Sequence, residues 1–361
     1  MQIFVSEYVC GGAWPGEQLN SSLAREGQAM LTALVEDLSK IPGVRVVTTW
    51  DARLGECPLT NCEVSLIESL ADEDRLFREL IRNSDAVWII APETDNQLAL
   101  RSLMYFEEDL VGSNSPRTRR FLGPLFGAIQ VCSDKLALAR LLLDNSIATP
   151  QTKLFVPIWE HSHWWNWPQW PSVIKPRDGA GSQNTFLVRN SIELWNACCE
   201  LSVALKKKGE RGGKTRTEKL LSFIHQPYVA GNALSVALLI AEDGSIIEVL
   251  PVAEQHLSDD GRFRYLGGRI PADISDESAV AVQQLAQRAC RAVPGLTGYV
   301  GCDIVLPDDF PFEPVLIEIN PRLTTCYLGY RLLTDDNIAA RLIDPSTPPL
   351  RWKSEAVTFT V

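Results

Sequence analysis

The stretch VLIEINPRLTT, residues 315–325, decides the fold because two polar residues interrupt an otherwise apolar run. Four of its first five residues are aliphatic, which is typical of a buried β-strand. Glu318 and Asn320 lie two residues apart, and Pro321 and Arg322 end the run. Because side chains alternate between the two faces of a strand, Glu318 and Asn320 should point the same way. The pattern therefore indicates a buried strand that carries a functional site.

The residues directly before this strand predict its partner. GYVGCDIVLPDDFPFEP reads as a second strand followed by a turn rich in Pro, Asp and Phe. If the turn is centred near Phe310, Asp303 lies opposite Ile317 or Glu318. Asp303, Glu318 and Asn320 would then converge on one patch of an antiparallel pair.

Three oxygen donors on adjacent strands suit Mg²⁺, which takes carboxylates, waters and substrate phosphates in an octahedral shell. In so apolar a stretch, such groups need a cation or hydrogen bonds to offset the loss of water. The predicted metal ligands are Asp303, Glu318 and Asn320. A structural salt bridge with Arg322 is the alternative explanation.

Two lysines are candidates for phosphate binding. In VIKPRDGAGS, Lys175 ends a predicted strand, and the glycine-rich turn after it can bring backbone N–H groups close to phosphate oxygens. This turn consists of Gly179, Ala180, Gly181 and Ser182. In CSDKLALARLLLDN, Lys135 follows the helix cap Ser133-Asp134, where the helix dipole favours anions, so a lysine there hints at a phosphate ligand. Ordinary hairpins also carry glycine and lysine, so either motif alone leaves a structural role open.

The first ~110 residues alternate strand and helix patterns, which predicts a parallel sheet with function at the carboxyl ends of its strands. Two loops at such ends carry acids: Glu7 in EYVCGGAW, and Glu93 and Asp95 in PETDN. Turn chemistry and helix caps would explain these loops equally well. No G-x-G-x-x-G follows the first strand, so the dinucleotide fingerprint is absent. From FIHQPYV onward, the strand patterns become antiparallel.

Composition narrows the class of protein. The chain has 361 residues, 22% of them charged, and a net charge of −11, which argues against nucleic acid or an anionic membrane as the main partner. No apolar run approaches the ~20 residues of a membrane span, and the start does not read as a signal peptide. The nine cysteines form no C-x-x-C pair. We therefore expect a cytoplasmic protein, and a homo-oligomer is compatible with the sequence.

Taken in order, Lys135, VIKPRDGAGS, QPYVAG, GCDIVL and IEINPR resemble the ATP-grasp superfamily. The resemblance implies a mixed α/β and α+β protein, in which a Rossmann-like parallel-sheet domain precedes an ATP-grasp fold of two α+β subdomains. The implied boundaries are 1–125 for the first domain, 126–345 for the ATP-grasp domain with its lid at about 150–229, and 346–361 for a C-terminal tail.

The resemblance also implies site roles. Lys135, Lys175 and the glycine-rich turn would contact the phosphates of ATP, and the predicted metal ligands would hold Mg²⁺, with Mn²⁺ as a substitute. Adenine is expected at the hinge, which consists of Gln226, Pro227, Tyr228 and Val229. Members usually activate a carboxylate as an acyl phosphate and pass it to an amine, so the expected partners are small-molecule carboxylates and amines.

Within that superfamily, EYVCGG, KPRDGAG and EINPRLTTCYLGYR resemble the tyramine–glutamate ligases of methanofuran-type, one-carbon cofactor synthesis. This narrower resemblance implies that Arg322 binds the donor carboxylate and that Glu7 contacts the amine. The sequence departs from the superfamily at three positions: Gln226 replaces the usual hinge acid, Ala233 the ribose-binding Glu, and Gly301 a common Arg. Arg269 or Arg322 would supply the missing charge.

Other interpretations stay open at this point. One is an amino-acid or peptide ligase with other substrates, and another is a nucleotide-binding regulator that has lost catalysis. WEHSHWWNWPQW, residues 159–170, suits a loop over an exposed core face better than an aromatic substrate box, and its His161 and His163 lack a third metal ligand. The basic run at 205–219 reads as a solvated loop rather than as a site for an anionic substrate.

Overall fold

The computed structural model describes residues 1–111, 119–155, 170–208, 222–309 and 313–360. The helices are α1 Ser21–Ser39, α2 Leu70–Asn83, α3 Gln97–Val111, α4 Phe126–Ser133, α5 Lys135–Asp144, α6 Ser191–Lys208, α7 Asp276–Ala292, α8 Cys326–Leu333 and α9 Ile338–Ile343. The strands are β1 Gln2–Glu7, β2 Arg45–Asp51, β3 Glu63–Ile67, β4 Ala86–Ile90, β5 Arg120–Phe121, β6 Lys153–Leu154, β7 Ser172–Pro176, β8 Phe186–Val188, β9 Phe223–Pro227, β10 Gly231–Ile240, β11 Ile246–Val249, β12 Ala253–Leu257, β13 Tyr265–Ile270, β14 Gly298–Pro307, β15 Val315–Asn320 and β16 Val357–Phe359.

Three sequence-based expectations fall wholly or partly outside these residues. They are the turn near Phe310, the tryptophan-rich segment up to residue 169, with His161 and His163, and the basic run from residue 209 onward. Residues 205–208, which the sequence assigns to a loop, are instead the last residues of α6.

The N-terminal part is a five-stranded parallel sheet in the order β3-β2-β1-β4-β5. The central strand β1 and its neighbour β4 are buried almost throughout, as expected of parallel strands covered on both faces by helices. The predicted strands β1, β2 and β4 are confirmed, whereas β3 and β5 do not figure in the sequence-based prediction. Helix α2 is capped by Ser69 and carries acids in its first turn.

The centre of the molecule is a seven-stranded antiparallel sheet in the order β15-β14-β10-β12-β13-β16, with β11 also paired to β10. Strand β10 shows how this sheet divides two cores. Val236 and Leu238 pack with α4, α5 and α7 on one face, and Ala237 and Leu239 pack with α1 and α8 on the other. This alternation is the period of two that a strand buried on both faces requires.

The parallel sheet and the central sheet share one hydrophobic core, which contains Leu31 and Leu34 of α1 together with Tyr327 and Tyr330 of α8. A buried hydrogen bond crosses the same interface, because the Tyr327 hydroxyl donates to Asp37 Oδ2 at 2.7 Å. The predicted boundary at residue 125 is therefore a point in the chain and does not correspond to a gap in the packing.

A small four-stranded sheet, in the order β6-β9-β7-β8, forms a subdomain with α6 inside the predicted lid range. It has its own core, in which Ile174, Phe186 and Leu194 are buried together. The segment predicted as a C-terminal tail contains β16, which pairs with β13 at the edge of the central sheet. Within the described residues, no helix is both long and apolar enough to span a membrane.

Candidate active site

A cavity of about 660 Å³ lies between the small sheet, the central sheet and helix α1. Its wall contains every predicted site residue except Glu7 and Arg269. These lining residues are Lys135, Lys175, Gly179, Ala180, Gly181, Ser182, Gln226, Pro227, Tyr228, Val229, Asp303, Glu318, Asn320 and Arg322. The structure therefore brings into one cavity segments that are up to ~190 residues apart in the sequence.

Strands β14 and β15 form the predicted antiparallel pair. Asp303 is the Cα partner of Glu318, one of the two positions that the sequence predicts, and Gly301 is the partner of Asn320. The register shifts immediately afterwards, since Ile304 pairs with Leu316. This irregularity leaves one extra residue on β15, as in a β-bulge.

The two carboxylates on this pair have opposite electrostatic surroundings. Burial, and then the charge of Glu318, raise the pKa of Asp303 above its usual range. Burial also acts to raise the pKa of Glu318, but Lys135 and Lys175 outweigh it and hold that pKa below its usual range. Two side-chain amides also form hydrogen bonds with Asp303. Asn320 Nδ2 donates to Asp303 Oδ2, and Gln255 Nε2 donates to Asp303 Oδ1, both at 2.9 Å.

This donor set fits a magnesium ion. Two adjacent half-buried carboxylates repel each other, and a divalent cation between them would remove that repulsion. The described residues contain no cluster of three or more His, Cys, Asp or Glu side chains that could hold a metal alone. Two carboxylates and an amide are nevertheless appropriate for Mg²⁺, because it usually completes its shell with waters and substrate phosphates.

Lys135 and Lys175 point at the same carboxylate from different elements. Lys135 Nζ lies 3.4 Å from Glu318 Oε2 and donates to the Gly179 carbonyl at 2.9 Å, and Lys175 Nζ lies 3.9 Å from the same oxygen. Burial lowers the pKa of Lys175 to about 8. Two buried cations near Glu318 provide positive charge, which the binding of a phosphate chain requires.

Helix α5 positions Lys135 at its first residue. Asp134 caps the helix, as predicted, by accepting from the backbone N–H groups of Leu136 and Ala137. The same carboxylate pairs with Arg177, which directly follows β7, and Lys135 N donates to the Arg177 carbonyl at 3.0 Å. These contacts hold the start of α5 next to the strand that carries Lys175. Both ammonium groups can therefore reach the same carboxylate, that of Glu318.

The glycine-rich turn contacts the loop after β4. Thr94 Oγ1 accepts from the backbone N–H of Ala180 at 3.2 Å, and Asp178 Oδ2 accepts from that of Asp95 at 3.0 Å. Gly181 has a φ of +67°, a conformation that favours glycine. The N-terminal sheet thus holds the turn against the cavity.

Arg322 also depends on this loop. It forms a two-point ion pair with Glu93, with Nε–Oε1 at 2.9 Å and Nη2–Oε2 at 3.0 Å. Side-chain exposure is only 14% for Arg322 and 5% for Glu93. The salt bridge considered from the sequence, between Arg322 and the predicted metal ligands, is not formed, because Glu93 is the partner.

Two predicted catalytic residues lie outside the cavity wall. Glu7 is 4% exposed, and its Oε2 accepts from the Cys10 backbone N–H at 2.5 Å, so it caps its own loop, which is the alternative that the sequence left open. Arg269 Nη1 is buried and has no hydrogen-bond partner among the residues that the structure describes. A Cβ at Gly301 would lie 2.7 Å from Thr324 Cγ2, so the arginine expected from the superfamily has no room there.

The structure adds lining residues that sequence reasoning missed. Helix α1 contributes Glu26 and Met30, and β12 contributes Glu254 and Gln255. Gln255 had a signal, because the stretch SIIEVLPVAEQHLS, residues 245–258, reads as a strand with polar residues at its end. Glu26 had none, since a glutamate on an amphipathic helix looks like any solvent-facing residue.

The geometry of this site agrees with the families and proteins that the chain resembles. An ATP-grasp domain matches residues 132–326, and a pre ATP-grasp 3 domain matches residues 44–116. The first match covers more than half of the chain, so the protein belongs to the ATP-grasp family. It is an ATP-dependent ligase that forms C–N bonds.

Individual relatives agree with this assignment. The chain is 26% identical to the tyramine–L-glutamate ligase of Methanocaldococcus fervens over 362 residues, which cover 99% of both chains. A D-alanine–D-alanine ligase of Francisella philomiragia is 24% identical over 54% of this chain and 59% of its own. A solved ATP-grasp superfamily protein from Archaeoglobus fulgidus superimposes with a TM-score of 0.67 at 26% identity, covering 97% of this chain and 90% of that one.

The metal assignment predicts the effect of neutral substitutions. Asp303→Asn and Glu318→Gln each remove one negative charge at nearly constant volume, so we expect ligase turnover to be lost while thermal unfolding stays cooperative. ADP release at saturating Mg-ATP measures the effect. Glu313→Gln, an exposed glutamate just before β15, is the matched control. Near wild-type rates in both site variants would contradict the assignment.

Glu7 gives a pH prediction for stability. Burial raises its pKa from 4.5 to about 7, so between these values the folded protein keeps a proton that the unfolded chain has released. Stability contributed by this group therefore falls as pH rises from 4.5 to 7, by up to about 3 kcal/mol. Glu7→Gln should flatten this fall in urea unfolding, and exposed Glu17→Gln should not. A strong loss of activity in Glu7→Gln with normal stability would instead restore the predicted amine contact.

Proposed function

We propose that this ligase joins the carboxylate of glutamate to an aromatic amine such as tyramine, with Mg-ATP as the energy source. The observation that carries the proposal is the match along 99% of the chain to a tyramine–L-glutamate ligase. The D-alanine–D-alanine ligase matches over little more than half. A match along the whole chain includes the N-terminal part of the protein. From this part, α1 lines the cavity and Glu93 pairs with Arg322.

Different residues would bind the triphosphate, the metal ion and the donor carboxylate. Lys135 and Lys175 would bind the triphosphate, with the N–H groups of the glycine-rich turn beside them, and so hold the terminal phosphorus in line with a carboxylate oxygen. A bound magnesium ion would supply charge neutralisation between phosphate and carboxylate, held by Asp303, Glu318 and Asn320. Arg322 would orient the donor carboxylate from its place beside the metal strand.

In each half of the proposed reaction, one bond between heavy atoms forms and one breaks. The carboxylate oxygen attacks the terminal phosphorus, and the bond to the ADP oxygen breaks, which leaves an acyl phosphate. The ammonium group of the second substrate first releases a proton to solvent, and its free amine nitrogen then attacks the acyl carbon. The C–O bond breaks with its electrons on phosphate, and the departing phosphate takes the second proton from nitrogen. Because water would destroy the acyl phosphate, the small sheet is expected to act as the lid that excludes it.

The amine side of the cavity has a suitable acid. Glu26 and Met30 of α1 line the wall, so a carboxylate stands next to an apolar side chain. No ion pair joins Glu26 to a residue that the structure describes, and Ser22 Oγ contacts only its Oε1, at 3.1 Å. A protonated amine on a short alkyl chain that also carries an aromatic ring, as in tyramine, would find both a counter-charge and an apolar surface there.

Replacement of Lys175 tests the phosphate site. Lys175→Met removes a buried cation, and losing one charge-assisted contact costs ~1.5–3 kcal/mol, or roughly one to two decades in ATP affinity. Isothermal titration with Mg-ATP measures the change, and Lys153→Met, an exposed lysine on the same small sheet, is the control. Unchanged affinity together with an unchanged rate would place Lys175 outside the site.

The substrate pair is tested directly. The enzyme is incubated with Mg-ATP, glutamate and tyramine, and we expect a condensed amide by mass spectrometry with one ADP formed for each amide. Omitting either substrate should suppress the amide. If ADP and amide form only with other amino acids or amines, the ligase class stands and this substrate pair is wrong.

A further inference from the structure

Gln226, at the hinge of the cavity, stands where the superfamily usually has an acid. It is 4% exposed and lines the cavity wall. Its Nε2 atom lies 2.6 Å from Thr152 Oγ1. The contact follows from the pairing of β6 with β9, because Lys153 is opposite His225 and the next position outward places Thr152 beside Gln226.

A second contact decides which way the amide of Gln226 faces. Thr152 Oγ1 lies 3.0 Å from the carbonyl oxygen of Pro150. A carbonyl oxygen only accepts, so the single hydroxyl proton of Thr152 must be donated to it. Thr152 can then only accept from Gln226, which requires the amide nitrogen, and no described residue donates to the Oε1 atom of Gln226.

We propose that Thr152 is a positioning residue that fixes the amide of Gln226 with its oxygen toward the nucleotide base, so that the site selects a base carrying an exocyclic amino group. This inference rests on the proposed use of ATP. Gln226 then offers an acceptor to the base as a carboxylate would, although it is uncharged and also has an amide nitrogen.

The same contacts explain why the selection needs Thr152. A purine with an oxygen in place of the amino group would face the Oε1 acceptor of Gln226, and two acceptors repel. Turning the amide would bring Oε1 against the hydroxyl of Thr152, whose proton is already given to Pro150. Either the amide of Gln226 or the hydroxyl of Thr152 would then lose a hydrogen bond away from solvent, which would weaken binding of that nucleotide.

The experiment compares ATP with inosine triphosphate, which has an oxygen in place of the exocyclic amino group and a proton on N1, by isothermal titration in the presence of Mg²⁺. Because N1 differs in the same way for every variant, the change in the affinity ratio between variants reports on the exocyclic position. Thr152→Val keeps the shape but removes the hydroxyl, so the amide can turn for either base. We expect the ATP preference to fall about tenfold, the usual worth of one such hydrogen bond. Thr152→Ser keeps the hydroxyl and should hold the wild-type ratio.

A rescue separates this role from a merely structural one. In the Thr152→Val background, Gln226→Glu places a group with acceptors only, and the ATP preference should return. An unchanged ratio in Thr152→Val, or an equal fall in Thr152→Ser, would overturn the inference while ATP still binds. Absence of ATP binding in the wild type would overturn the proposed function itself. Should the valine variant not fold, Thr152→Ala gives the same comparison.

Discussion

The structure of the site depends on one constraint, which is that Asp303 and Glu318 are half-buried carboxylates on facing positions of adjacent strands. Such a pair is unfavourable without counter-charge. Lys135 comes from the start of a helix and Lys175 from the end of a strand in another sheet, and both reach Glu318. The small sheet, α5 and the central sheet must therefore meet at this point, and the cavity is the space left beside it.

The parts of the site that could be predicted from the sequence are those fixed by local rules. The hairpin predicts the partner of Asp303 to within one residue, because turn length sets the pairing. The register shift between Ile304 and Asp303 then selects Glu318 over Ile317. Lys135 and Lys175 lie at element ends that caps and glycines mark. The Glu93–Arg322 pair could not be predicted, because it joins residues 229 positions apart through the docking of two sheets. The same is true of the Asp37–Tyr327 bond, which spans 290 positions.

The packing also distinguishes the walls of the cavity. Helix α1 lines the cavity with Glu26 and Met30. Met30 also belongs, with the other buried residues of α1, to the core shared with α8, where the Tyr327 hydroxyl donates to Asp37. The small sheet instead has a separate core around Ile174 and Leu194. Because the small sheet has its own core, it can change position as a unit without exposing the core shared by α1 and α8. Helix α1 cannot move without disturbing that shared core. The wall formed by α1 is thus fixed by packing, and under the proposed function the nucleotide would lie between it and the small sheet.

The Glu93–Arg322 pair constrains how a substrate carboxylate can be recognised. Arg322 already gives Nε and Nη2 to Glu93 and Nη1 to the Leu323 carbonyl, and Glu93 neutralises its charge. A guanidinium has more N–H groups than these contacts use, so Arg322 can still donate to an incoming carboxylate. Net positive charge to draw an anion must then come from elsewhere. Lys135 and Lys175 face Glu318 and the neighbouring Asp303, so a metal ion at these carboxylates would be needed beside the lysines to make the site positive. We propose on this basis that Arg322 sets the direction of a substrate carboxylate, while the lysines and the metal ion supply the attraction.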